Sequence, residues 1–299
     1  MTASERTARP APLRVALWML GVLASFTSMA VSGREISREL DTFELMFYRS
    51  LLAMALILLF AAWSREGFRQ LRSRRPGLQV LRNLFHFVGQ FGWFYAIALI
   101  PLAQVFAIEF TTPLWIALLA PLVLGERLTR TRVLAAVLGF IGVLIVVRPG
   151  LATINPGTIA MLIGALGFAG SMMTTKRLTE YDRPVTILFY MTIVQAPIAF
   201  LPALGGLSWP TGGTWLWLFA VTLAGLAGHY CLARAFALAD AVTVAPLDFL
   251  RLPLIALVGM ALYAEPLDLW VFLGGGLILL GNYANLRMES RQTESAGLP

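Results

Sequence analysis

Charge is what this 299-residue chain has least of: 13% of its residues are charged, against roughly 25% in a soluble globular domain. Together with 58% hydrophobic residues and a mean hydropathy of +0.76, that scarcity excludes a water-soluble enzyme domain and a disordered chain. Cysteine is nearly absent: Cys231 stands alone, so no intrachain disulfide can form and nothing marks a redox compartment. Histidine is limited to His86 and His229. Neither has a Cys or carboxylate at ligand spacing, so no metal site is expected, and no cofactor either. The chain also lacks a paired-histidine zinc motif, an acidic metal motif and a serine dyad pattern, which leaves little support for an intramembrane enzyme. The net charge of +7 would suit nucleic acid, but its placement reads as membrane orientation, and no nucleic-acid partner is expected.

What fills the chain is long apolar runs. They cover roughly 13–32, 43–63, 80–99, 102–124, 133–148, 157–174, 185–203, 215–234, 241–263 and 270–286. Each is close to the ~20 residues that a bilayer span requires, and none alternates as a barrel strand would. Ten transmembrane helices follow. The breaks carry turn signals such as Arg74-Arg75-Pro76-Gly77 and Arg148-Pro149-Gly150. Arg6, Arg9 and Arg14 ahead of the run from Val15, with Ser28-Met29-Ala30 after it, mimic a signal peptide. A retained helix is the better reading, because the remaining chain is membrane-embedded with short loops.

Orientation follows from the basic residues. With the N-terminus inside, only Arg34, Arg38 and Arg148 fall outside, and Arg49 and Arg251 lie within spans. The rest of the 23 Lys and Arg collect inside, notably Arg65, Arg69, Arg72, Arg74 and Arg75. That asymmetry puts both termini in the cytoplasm of a bacterial-type inner membrane.

The chain also repeats. A shift of 139 carries Ala96, Ala98 and Leu99 onto Ala235, Ala237 and Leu238, and Ile116-Ala117-Leu118 onto Ile255-Ala256-Leu257. Glu126 and Arg148 land on Glu265 and Arg287. Residues 1–150 and 151–299 are therefore expected to be two five-helix repeats. An odd number of helices forces the copies into opposite orientation, as in secondary transporters with a central cavity at the repeat interface.

These features resemble the drug/metabolite transporter superfamily, in particular its ten-helix EamA-type members. The resemblance rests on Phe47-Tyr48-Arg49-Ser50, Pro101-Leu102-Ala103-Gln104, Pro113-Leu114, Leu124-Gly125-Glu126-Arg127 and Gly139-Phe140-Ile141-Gly142-Val143 through Arg148-Pro149-Gly150. The second copy departs, with Ala264-Glu265-Pro266-Leu267 in place of Gly-Glu-Arg-Leu. The resemblance implies alternating access through a cavity lined by spans one, three, four, six, eight and nine. Because well-studied bacterial members export amino acids, it also implies export of large neutral or aromatic amino acids. A cofactor or nucleoside-like uptake carrier is the alternative within the superfamily. The partners expected are a small-molecule substrate and the lipid bilayer; the oligomeric state is left open.

Intramembrane polar residues mark the candidate site, since a charge at a helix centre costs about 2.5–3.5 kcal/mol on insertion scales. Glu109 and Asp248 are partners under the repeat shift. They read either as a proton-coupling or substrate-amine pair, or as groups neutralised locally, Asp248 by Arg251 and Glu109 by Thr111, Thr112 or a neutral protonated state. His86, Gln90 and Trp93 share one face of span three, and Gln90 maps onto His229, beside Tyr230. With Arg251 these form the expected substrate-binding set. Pro113, Pro246 and Pro253 remove backbone donors near the carboxylates and are expected hinges. Glu44 and Arg49 read as a mutual structural pair near the outer interface. Glu126 and Glu265 read as helix-start residues, and Gly274-Gly275-Gly276 would permit close helix contact, within or between chains.

Overall fold

A computed structural model describes residues 12–124, 129–149, 155–239 and 241–295. Among the described residues the regular elements are helices: α1 (Pro12–Ile36), α2 (Thr42–Trp63), α3 (Pro76–Leu99), α4 (Leu102–Glu109), α5 (Thr112–Leu124) and α6 (Arg130–Val147). They continue with α7 (Pro156–Leu178), α8 (Pro184–Ala203), α9 (Gly212–Phe236), α10 (Ala241–Asp248), α11 (Arg251–Tyr263) and α12 (Leu269–Ser295). A 3₁₀ turn, Gly67–Leu71, joins α2 to α3. Among the described residues eight stretches are long and apolar enough to cross a membrane, and α6 is a shorter apolar helix. α3 falls below that hydropathy because one of its faces is polar. The outward faces carry large apolar side chains, among them the exposed Phe140, Leu216 and Leu280, as suits hydrocarbon contact.

Local chemistry sets the ends. Asp41 caps α2 by accepting from the Glu44 N–H at 2.8 Å, and Glu44 accepts from the Asp41 N–H at 2.8 Å, a complete capping box. α3, α7 and α8 each begin on proline, where its missing N–H costs nothing. Arg148 closes α6 and Ala264 closes α11 in the left-handed conformation, at φ 50° and 54°.

The ten spans are all present, but two are broken. Span four is α4 plus α5, and span nine is α10 plus α11. The first helical halves end at Glu109 and Asp248 and the second halves begin at Thr112 and Arg251, positions that the 139-residue shift superposes. Helix pairing has the same exchange symmetry. The tightest pairs are α3 with α7 and α1 with α9, which interchange when the repeats are swapped; α6 with α12 and α2 with α8 map onto themselves, and α4 of span four packs on α11 of span nine. Phe110 and Phe249, one residue beyond each break, meet at 5.0 Å. This is an inverted-repeat architecture with its pseudo-twofold between the two broken helices.

Glycine makes the pairings close. A Cβ on Gly92 would sit 2.3 Å from the Ala160 carbonyl oxygen, and one on Gly167 2.6 Å from the Gly89 nitrogen, so α3 and α7 touch through backbone. Gly142 and Gly274 face each other likewise, 2.6 Å and 2.5 Å from one another's carbonyls. Gly274 therefore serves contact within the chain, whereas Gly276 meets nothing. Gly92→Ala is expected to lower the apparent melting temperature of the purified protein by several degrees, since overpacking costs about 1–3 kcal/mol. Gly276→Ala, in open space, should leave it unchanged in the same thermal-unfolding assay.

Candidate substrate site between the repeats

α3 presents one buried polar stripe: Gln79, Arg82, Asn83, His86, Gln90 and Trp93. Their spacing is that of a single helix face. Every member is tied. Asn83 Nδ2 donates to the Gln79 carbonyl at 2.8 Å, Arg82 Nη1 donates to Asn83 Oδ1 at 2.8 Å, and Arg82 Nε reaches Thr175 Oγ1 on α7 at 3.1 Å. Gln195 of α8 donates from Nε2 to His86 Nδ1 at 2.9 Å, and Phe168 lies edge-on to the same ring.

At the arginine-rich face this stripe ends on Asp182. Its carboxylate accepts from the Arg74 N–H and from Gln79 Nε2, both at 2.8 Å, and from the Ser73 hydroxyl, joining the α2–α3 and α7–α8 connections. Burial works to raise its pKa, but the bonds from Ser73, Arg74 and Gln79 outweigh it and hold the carboxyl below its ordinary 3.8. A carboxyl with a depressed folded-state pKa contributes stability that is complete above the unfolded value and lost as pH falls through the folded one. Asp182→Asn should therefore unfold earlier than the parent at pH 7, and the gap should close below about pH 3.8 in parallel thermal melts.

At the broken helices the charges form a triad. Arg251 Nη2 donates to Asp248 Oδ2 at 2.6 Å, Arg251 Nη1 lies 3.4 Å from Glu109 Oε1, and Trp93 Nε1 donates to Glu109 Oε2 at 2.7 Å. The guanidinium is caged by ring faces: Phe26 at 4.8 Å, Phe110 at 5.0 Å and Phe106 at 5.7 Å. Asn282 of α12 donates to the Phe110 carbonyl at 2.9 Å, satisfying backbone freed by the break. Pro113 and Pro253 fall in the first turns of α5 and α11, just after the breaks, while Pro246 lies inside α10. Glu109 accepts from Trp93 and shares Arg251 with Asp248. Thr111 is not its partner, because its hydroxyl donates to the Ile108 carbonyl.

A second centre lies beside the triad. Arg49, Ala53, Gln90, Leu188, Met191, Thr222, Gly225, Leu226 and His229 line a cavity of about 10 Å³, room for about one water molecule. Gln90 and His229, partners under the repeat shift, face the same space. Arg49 Nη2 donates to Gln90 Oε1 at 2.6 Å.

Several expectations need correction. Arg49 does not pair with Glu44, whose carboxylate instead takes the Ser208 N–H and hydroxyl at 2.6 Å and 2.9 Å while capping α2; capping holds it at the helix start, more than a turn away. Tyr230 is 60% exposed, packs edge-on against Trp18 and is not among the residues lining the cavity. Arg251 is no free anchor for a substrate carboxylate, since the protein's own carboxylates hold it. Spans two and seven contribute Arg49, Ala53, Leu188 and Met191 to the small cavity, beside residues of spans three and eight. Glu265 does not start α12. It pairs with Arg34 at 2.9 Å and accepts the Leu102 N–H at 2.8 Å, a cross-tie at the face opposite the arginine-rich loops. Glu126 lies outside the described residues. Gln195 and Asn282 went unmarked because an isolated amide in an apolar run gives no periodic signal.

The comparisons with known proteins agree with this architecture. The EamA-like transporter family matches residues 13–148 and again 155–287; the chain belongs to that family. It is 31% identical over 249 residues to a riboflavin transporter of Brucella anthropi, covering 81% of this chain and 88% of that protein. It is 27% identical over 282 residues to an S-adenosylmethionine uptake transporter of Rickettsia felis, covering 93% and 95%. A pseudopaline exporter of Pseudomonas aeruginosa is 28% identical over 282 residues, covering 91% and 96%. One solved crystal structure shares the fold with a TM-score of 0.63 at 18% identity, over 93% of this chain and 98% of that one. The protein is thus a membrane transporter for a small molecule, and not an enzyme. Export of amino acids finds no support among these relatives.

Proposed function

We propose that this chain takes up a cofactor-like metabolite bearing a heteroaromatic ring, by alternating access between its two repeats. The observation that carries the reading is the full-length similarity to carriers named for riboflavin and for S-adenosylmethionine uptake. The site supports it. Ring faces of Phe26, Phe106 and Phe110 surround the triad, and Gln90 and His229 offer hydrogen-bonding edges within the neighbouring cavity. A space fit for about one water means the repeats must part to admit a metabolite, which the helix breaks at Glu109 and Asp248 allow. The arginine-rich loops face the cytoplasm in this reading, by the positive-inside bias. The exporter among the relatives favours one second reading, the same cavity working outward.

Counterflow into proteoliposomes of the purified chain tests the substrate class. Labelled riboflavin or S-adenosylmethionine should exchange saturably, and labelled phenylalanine should not. Phenylalanine exchange with neither of the other two would return the chain to the amino acid carriers. Accumulation by intact cells, against loss from preloaded ones, decides direction.

A further inference from the structure

Among the described residues three arginines are buried, Arg49, Arg82 and Arg251, and their circumstances differ. Arg251 is 5% exposed and meets two carboxylates. Arg49 is 6% exposed and meets none: among the described residues no Asp or Glu lies within salt-bridge distance of it. Its hydrogen bond goes to a neutral amide, Gln90 Oε1. Its Nε is buried without a partner, and the Phe94 ring stands 5.5 Å from its guanidinium carbon. The cationic character extends around it, with Arg82 on the same buried stripe of α3 bonded only to neutral groups, Thr175 and Asn83.

An uncompensated charge in a dry interior is among the costliest arrangements a protein can hold. An intramembrane charge of this kind marks a functional site by default. The guanidinium lines the cavity between α2, α3, α8 and α9, and the residues beside it, Gln90, Thr222 and His229, can hydrogen-bond. Gly225 brings the α9 backbone close to it: an added Cβ there would stand in van der Waals contact, 3.5 Å from Nη1. A planar fork with a free Nε matches a two-oxygen anion. Gln90 and Trp93 lie on one face of α3, about 4.5 Å apart along the axis. Hence Arg49 adjoins the triad, whose two carboxylates outnumber its one arginine.

We propose that Arg49 is the anchor for an oxyanion of the transported molecule, a carboxylate or phosphate, with Glu109 and Asp248 on the side that receives its ring or cationic part. This deepens the carrier reading above and rests on it for the transported molecule's other features. It predicts that the substrate carries an acid group as well as a ring.

Matched probes test it in the proteoliposome assay: S-adenosylmethionine against its decarboxylated analogue, and flavin mononucleotide against riboflavin. The parent protein should prefer the acid-bearing member of the pair it transports. Arg49→Gln should reduce exchange of that member about tenfold or more, the effect of losing one charged hydrogen bond, while the acid-free member changes less than about twofold. Arg49→Lys should recover part of the preference. Independently, the melting temperature of the purified chain should rise saturably when acetate or phosphate replaces chloride at fixed ionic strength, and Arg49→Gln should abolish that rise. Should Arg49→Gln fail to fold, Arg49→Lys supplies both readouts, with a weakened preference and a weakened rise expected. An Arg49-dependent anion response with no exchange of either pair would keep the anchor and discard the proposed substrates. An acid preference that survives in Arg49→Gln, or a parent protein with neither preference nor anion response, would overturn the proposal.

Discussion

Arg251→Gln is expected to abolish exchange and to reduce the yield of folded protein severely. The substitution leaves Glu109 and Asp248 facing one another without a cation, inside the cage of Phe26, Phe106 and Phe110. Removing one partner of a buried ion pair costs about 3–5 kcal/mol, a large part of the roughly 5–15 kcal/mol that holds a typical protein folded. Lost expression alone would not distinguish a transport role from a structural one. The triple variant Glu109→Gln, Asp248→Asn, Arg251→Gln separates them, because it removes all three charges and should restore folded yield. If the triad takes part in transport, that variant folds and does not exchange substrate. A triple variant exchanging at the parent rate would reduce the triad to a structural device.

Glu265→Ala should open the face opposite the arginine-rich loops. Glu265 holds three elements together there: Arg34 from the end of α1, the Leu102 N–H at the start of α4, and its own position just after α11. Arg34 also donates to the Ile100 carbonyl at 2.8 Å, so releasing Glu265 frees the α3–α4 connection as well. In a Cys231→Ser background, labelling of the buried Ile100→Cys should speed up about tenfold, the change produced by a shift of about 1.4 kcal/mol between closed and open states. Gly259→Ala should act in the same direction without touching the charges, because its Cβ would fall 2.3 Å from Glu265 Oε2 and displace the carboxylate. Unchanged labelling in both variants would show that the closure does not depend on this tie.

The two carboxylates at the helix breaks illustrate how far sequence reading reached. Glu109 and Asp248 stood out as intramembrane charges at equivalent repeat positions, and Arg251 was legible as a partner of Asp248 because i and i+3 share a helix face. Trp93 as the donor to Glu109 was not legible. Sixteen residues and a chain reversal separate them, and no local pattern encodes which residue of one helix faces which of another. The Glu44–Arg49 pairing was already disfavoured locally, since residues five apart do not share a helix face, but only the packing of α2 against α3 shows that Gln90 takes the guanidinium. The breaks in spans four and nine were foreshadowed by proline, but their placement at superposable positions needed the structure.

Sequence by itself determined the number of spans, the alternation of the loops between two faces, the repeat and the family. Those follow from hydropathy summed over short windows, from charge counts in loops and from identity at a fixed offset, all properties of the chain in one dimension. Tertiary structure alone decided which buried charges are satisfied. Backbone-to-backbone contacts at Gly92 and Gly142 set the distances between helices, and those distances leave Arg251 with two carboxylates and Arg49 with none. In a low-dielectric interior the interaction of charges depends on a few ångströms across helices, a quantity that no window of sequence contains.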